Sequence, residues 1–280
     1  FEKKISVHFG RLMDLCHLKH AELQKEVQKY KGRVVFRGDQ VKDETGFHAV
    51  FTEQGASASQ MAAAKFLDTV ARMPGMGGQA ADAVKAYTQV PLKKAHQLLG
   101  LPPEQCPETW ISLPKSRQPA SWANIVDPVC PLEWNLYGHP LAGLLWERHL
   151  EDALFKLHWE KLPGWECLYI HRAQRLFLSV YVDDFKMVGK IENLSKMWTC
   201  MRKTIDLEPE TELSDNVYLG CNQRKTTPDQ GLLHEKNKLF RKLTTHEKPK
   251  AEGDLSGPKE QSEAAGGRGS GKKKARQEVS

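Results

Sequence analysis

The segment Leu176–Gly189, LFLSVYVDDFKMVG, constrains the chain more than any other. Side chains of an extended strand point alternately to opposite faces, so along the apolar run Leu176–Val182 half face a core and half its far side. Asp183 and Asp184 interrupt the run, and Phe185, Met187 and Val188 resume it. A strand–turn–strand hairpin with both carboxylates at its tip satisfies that pattern. Aspartate is a favoured turn residue, so a solvated turn accounts for the doublet as readily as a site does. Two unit charges about 4 Å apart repel by roughly 1 kcal/mol in water and about 4 kcal/mol at an effective dielectric near 20. A recessed doublet therefore calls for a cation, and hard divalent ions take oxygen ligands of this kind.

Along the rest of the chain, the opening LMDLCHLKHAELQKEVQKYKG reads as a polar, partly helical lead-in over residues 1–30. A short strand follows at Arg33–Arg37. SASQMAAAKFLDTVARM, with serines for caps and Ala63, Phe66, Leu67, Val70 and Met73 at helical spacing, predicts a helix. It ends at the breaker cluster PGMGG, after which QAADAVKAYTQV reads as a strand. Pro91–Pro131 is proline-rich and unassigned. LAGLLWERHLEDALFKL returns to helix, with Trp146, Leu150, Ala153, Leu154 and Leu157 on one face. ECLYIHRAQRLFLSVYVDDFKMVG supplies two or three strands, IENLSKMWTCMRKTI a helix, and NVYLGCNQ a strand. This order predicts an α+β fold, mostly antiparallel, with helices on one face of the sheet. Residues 226–246 stay poorly assigned. Residues 247–280 hold no aromatic residue and little to bury, which predicts a disordered tail. Its KKKAR is a solvated run, a nucleic-acid contact or a nuclear signal.

The chain is 40% hydrophobic with a formal charge of +6, compatible with a polyanionic partner without requiring one. Six scattered cysteines lack any CxxC pair, so free thiols in a reducing compartment are expected. No leader follows Phe1 and no apolar run approaches bilayer length, so an intracellular location, cytoplasmic or nuclear, is expected, with no membrane partner. The motif-like GMGG lacks the GK[ST] of a phosphate loop, and CHLKH (Cys16, His17, His20) has no second half-site for zinc.

A third carboxylate makes the doublet more specific. ADAVKAY places Asp82 early in a predicted strand, five residues before Tyr87. KGRVVFRGDQ, DAVKAYTQ, NLYGHPLAGLLWE, YVDD and DNVYLGCNQ then occur in one order over Lys31–Gln223. In that order they resemble the motifs of the reverse transcriptase domain of copia-type long-terminal-repeat retrotransposons. The resemblance implies a right-hand polymerase with palm and fingers over about residues 31–225. It implies an RNA-directed DNA polymerase, part of a retrotransposon polyprotein, acting on an RNA or DNA template with primer and on deoxynucleoside triphosphates.

By the same resemblance Asp82 and Asp183 hold two Mg²⁺ (or Mn²⁺) ions, with Asp184 supporting them. Tyr87 is the steric gate against a ribose 2′-hydroxyl. Lys31 and Arg33 contact the triphosphate, Tyr137 and Gly138 line the nucleotide pocket, and Tyr181 lies near the primer terminus. The sequence departs from the family at HPLAGL, where Pro140, Leu141 and Leu144 stand for the expected Lys, Gln and Arg. Three expectations therefore stand side by side: an active polymerase domain, a remnant that binds nucleic acid and does no chemistry, and an α+β domain whose motifs are fortuitous.

Overall fold

A computed structural model describes residues 6–51, 60–214, 217–219, 221–222, 227 and 229–244. The chain forms two units, Phe1–Thr245 and His246–Ser280, and every described residue lies in the first. The disordered tail expected over residues 247–280 and the serines expected to cap the first helix lie outside the described residues. In chain order the elements are β1 (Val7–Lys19), β2 (Lys29–Phe36), α1 (Met61–Ala71), β3 (Met76–Asp82), α2 (Ala95–Leu99), β4 (Glu108–Ser112) and β5 (Val129–Pro131). There follow α3 (Ala142–Lys156), β6 (Glu160–Lys161), β7 (Leu168–His171), β8 (Leu176–Tyr181), β9 (Asp184–Lys190) and α4 (Ile191–Met201). The last are β10 (Thr211–Glu212), β11 (Val217–Tyr218), β12 (Cys221–Asn222) and α5 (Gln230–Thr244).

The apolar run around the aspartates forms the hairpin β8–β9, the centre of a six-stranded sheet of order β10-β3-β9-β8-β7-β6. All its neighbours are antiparallel. Alternation sorts the side chains into two cores. Leu168, Ile170, Phe177 and Val188 pack with Ala63, Leu67 and Val70 of α1 and Phe240 of α5. Leu178, Val180, Phe185 and Met187 pack with Trp146, Leu150 and Leu154 of α3 and Leu194, Met197 and Trp198 of α4. Helices therefore cover both faces, where the sequence order led us to expect one. The cause lies in β8 and β9 themselves: both are buried on both sides, and an apolar strand of that kind needs a cover above and below.

A second, four-stranded sheet has the order β2-β1-β4-β5, with β1 parallel to β4 and the other pairs antiparallel. Here the expected helical lead-in is strand β1. Most of its side chains are exposed, so no apolar alternation announces it; backbone pairing with β2 on one side and β4 on the other holds it extended. The strand expected after PGMGG begins inside that cluster, at Met76, and ends at Asp82, so Tyr87 lies in a 3₁₀ turn (Ala86–Gln89) beyond it. Gly78 is used because a Cβ there would stand 2.3 Å from Leu213. Among its described residues NVYLGCNQ contributes the two-residue strands β11 and β12, and the unassigned stretch after it carries helix α5. Helix α1 begins after Gln60 without a side-chain cap. Among the described residues no helix is long and apolar enough to cross a membrane.

Candidate active site

Asp82, last in β3, stands opposite Asp184, first in β9, and Tyr181 flanks Asp184 from β8. Directly opposed residues of an antiparallel pair hold their Cβ atoms about 4.5–5.5 Å apart on the same face. Asp183 fills the turn between β8 and β9, and its carbonyl accepts the Ala83 N–H at 2.7 Å. Hydrogen-bonding register thus brings a carboxylate from the first third of the chain to the doublet.

The turn is held from behind. Val182 has φ 56°, a left-handed conformation that a β-branched residue adopts only at a cost of about 1–3 kcal/mol. Its carbonyl accepts a 2.8 Å hydrogen bond from Nε1 of Trp146, a buried residue of α3. Trp146→Phe keeps an aromatic ring but deletes both the donor and part of the buried indole volume. It is expected to destabilise the chain by about 1–3 kcal/mol, read as a fall in Tm of roughly 2–4 °C per kcal/mol. An unchanged Tm would show that the bond does not brace the turn.

The carboxylates sense one another. Asp184 is half-buried, and burial, with Asp183 and Asp82 nearby, pushes its pKa up to about 6. Asp82 is also raised, by burial first and then by Glu208 and Asp183, with Lys19 opposing. Asp82 reaches solvent, so the direction of that shift and its like-charged neighbours matter more than its size. Glu208 is the functional candidate that sequence reasoning missed. It arrives because residues 206–208 run beside 82–84: Val84 N–H donates to the Asp206 carbonyl at 2.9 Å, and Glu208 N–H to the Asp82 carbonyl at 2.8 Å. The acidic DLEPE run was the only signal for it.

Beside the carboxylates lies an aromatic group. The rings of Tyr87 and Tyr137 are 4.6 Å apart between centroids. Burial raises the pKa of Tyr87, and Tyr137, Asp183 and Tyr181 add to the shift. Tyr137 is likewise raised by burial and by Asp183, while Arg33 pulls it down. Asp82, Asp183, Asp184, Tyr87, Tyr137, Tyr181 and Arg33 therefore converge. Lys31, two residues before Arg33 in β2, is exposed as Arg33 is, but unlike Arg33 it has no electrostatic effect on Tyr137. Gly138 has a backbone role: at φ +88° it turns so close to β2 that a Cβ would stand 2.1 Å from the Phe36 carbonyl. Where the family carries Gln and Arg, Leu141 packs against the core and Leu144 is buried.

Oxygen-only donors and mutual repulsion fit a hard divalent ion. Among the described residues no three His, Cys, Asp or Glu side chains are grouped so that together they could hold a metal ion. An open site asks for less, since Mg²⁺ can take only one or two protein carboxylates and complete its shell with substrate phosphates.

No family model matches the chain, and no curated protein matches it. Among solved structures it is similar to apo telomerase from Candida tropicalis truncated from its C-terminal domain. That match has 10% identity and a TM-score of 0.40, covering 72% of this chain and 50% of that one. It is also similar to telomerase from Candida albicans in complex with a TWJ fragment of telomeric RNA. There the identity is 9% and the TM-score 0.40, with 73% of this chain and 41% of that one covered. The chain thus spans half or less of those telomerase chains. At this level of similarity the reading of the site rests on its own geometry.

Proposed function

We propose that the chain is an RNA-directed DNA polymerase domain of the copia type, a nucleotidyltransferase from a retrotransposon polyprotein. The single observation that carries this is the register of Asp82 against Asp184 at the tip of the YVDD hairpin. On this reading the six-stranded sheet is the palm and the four-stranded sheet belongs to the fingers. Asp82 and Asp183 hold two divalent ions, Mg²⁺ or Mn²⁺, with Asp184 supporting them. When bound, the ions neutralise phosphate charge, lower the barrier for attack by a primer 3′-hydroxyl and stabilise the departing pyrophosphate. The remaining work is positioning, which phosphoryl transfer chiefly requires. Tyr87, braced by Tyr137, closes the space beside the sugar, and Arg33 presents its fork to the triphosphate. Tyr181, beside Asp184 at the end of β8, meets the primer end.

A second reading has one observation in its favour: Leu141 and Leu144 are packed inward where the family offers a polar and a cationic side chain, as expected of a remnant that binds nucleic acid without chemistry. Extension of oligo-dT on poly-rA with Mg²⁺ decides between them. Extension by the wild-type chain, lost in Asp183→Asn, supports the polymerase. Salt-dependent binding of the hybrid without extension supports the remnant.

A further inference from the structure

His139 stands in the HPLAGL departure and does not belong to the carboxylate group, yet it is 6% exposed and bonded through both ring nitrogens. Nδ1 accepts the Leu141 N–H at 3.2 Å, and Nε2 lies 3.1 Å from Oγ1 of buried Thr109 on β4. An imidazole that accepts at Nδ1 carries its proton on Nε2 and donates it to Thr109. The ring also packs against Phe36 of β2, 5.1 Å between centroids, and edge-on to Phe51 at 6.3 Å. Two residues earlier, the Tyr137 carbonyl accepts the Phe36 N–H at 2.8 Å. His139 therefore joins the Tyr137–Gly138 turn, the start of α3 and the four-stranded sheet.

We propose that neutral His139 is a positioning residue that pins the Tyr137–Gly138 turn to β4, and thereby sets the Tyr137 ring against Tyr87 beside Asp183. Its consequence for nucleotide binding rests on the polymerase reading; the latch itself does not. The same geometry makes the latch acid-sensitive, because a proton on Nδ1 would face the Leu141 N–H, donor against donor. The charged neighbours act in the same sense. His8 of β1, edge-on to Phe51 at 5.0 Å, opposes a second positive charge, while Glu44 and Asp43 face His8. Burial, aided by His8, lowers the His139 pKa to about 4. A depressed histidine leaves the unfolded chain binding more protons between its ordinary value of 6.5 and about 4. The stability that the neutral ring contributes is thus fully present above 6.5 and declines as the pH falls through that window. The latch's own bonds persist in the folded chain until the ring protonates near 4.

The test uses the whole chain. Imidazole ¹⁵N shifts are expected to show His139 neutral, with its proton on Nε2, down to about pH 5, and amide exchange at Leu141 is expected to be slow. His139→Leu removes both bonds, whereas His139→Asn keeps an acceptor for the Leu141 N–H and Thr109→Val deletes only the other bond. In primer extension at pH 7.5, His139→Leu is expected to raise KM for the nucleotide about tenfold, with kcat within about twofold, and His139→Asn to recover most of that loss. Thermal melts confirm that each variant is folded; should His139→Leu not fold, the comparison passes to Thr109→Val. If the wild-type chain does not extend primers, the polymerase reading fails and amide exchange alone decides the latch. Titration of His139 near 6.5, or equal Leu141 exchange in the wild-type, His139→Leu and Thr109→Val chains, overturns the proposal.

Discussion

Asp183→Asn is expected to lower primer extension by about three orders of magnitude or more, while the metal-free protein becomes slightly more stable. The loss follows from the open character of the site. With few protein carboxylates available to each ion, removing one leaves the substrate phosphates uncompensated, and several kcal/mol of transition-state stabilisation goes with it. The gain in stability has the opposite origin. Asp183 is a like charge to both Asp82 and Asp184, and it raises both their pKa values. Asn keeps the shape and removes that repulsion, worth on the order of 1 kcal/mol for partly solvated groups and roughly 2–4 °C in Tm.

The pH dependence gives the same test a second axis. A carboxyl raised to about 6 from an ordinary 3.8 binds its proton more tightly in the folded state than in the unfolded one. Native stability therefore falls as the pH rises through that window, and the cost is fully present above about 6. The stabilisation by Asp183→Asn should accordingly be seen at pH 7.5 and fade by pH 4. Mg²⁺ should raise the Tm of the wild-type chain more than that of the variant, because an ion bound only by the folded state adds stability by mass action. A variant that loses activity and also melts lower at neutral pH would mean that Asp183 holds the turn together instead of serving a site.

What the sequence displayed depended on where each side chain ends up. The β8–β9 hairpin was legible because Leu176 to Val188 alternates between two buried faces, and α1 and α3 because Leu67, Val70, Leu150 and Leu154 recur at helical spacing. Strand β1 was not, since its stability comes from main-chain pairing that leaves no pattern in exposed side chains. The convergence of Asp82 with the doublet was reached through resemblance; composition and spacing alone offered a turn as an equal account. Glu208 and Trp146 were out of reach for the same reason. Glu208 reaches Asp82 only because segment 206–208 docks beside residues 82–84, and the Trp146 donor finds Val182 across 36 residues of intervening chain. The HPLAGL segment leaves activity open at the level of sequence, and His139 within it carries two hydrogen bonds that no spacing rule announces.

Asp68→Ala, on the helix that covers the sheet face carrying the carboxylates, is expected to be strongly destabilising. Lys186 lies two residues beyond Asp184 in β9, so its side chain leaves the same face, and it is 0% exposed. An ammonium there has lost its hydration and needs compensation from its neighbours. The Asp68 carboxylate of α1 supplies an ion pair, and the Tyr218 ring lies 5.0 Å from Nζ. The Tyr218 hydroxyl in turn meets Ser179, the residue paired with Lys186 across the hairpin, at 3.1 Å. Deleting the carboxylate leaves the buried charge, a change that costs about 3–5 kcal/mol when a pair is fully enclosed. Asp68 is 37% exposed and Lys186 keeps its other contacts, so about 2–4 kcal/mol is expected here, a fall in Tm of roughly 5–15 °C. The reciprocal substitution should behave differently. Lys186→Met removes the buried charge together with its desolvation cost and leaves Asp68 able to hydrate, so its effect should stay within about 1 kcal/mol of zero. Thermal melts of the two variants at neutral pH decide the matter. Equal losses would mean that the pair itself stabilises the sheet; a large loss from Asp68→Ala alone identifies an uncompensated ammonium as the source of the instability.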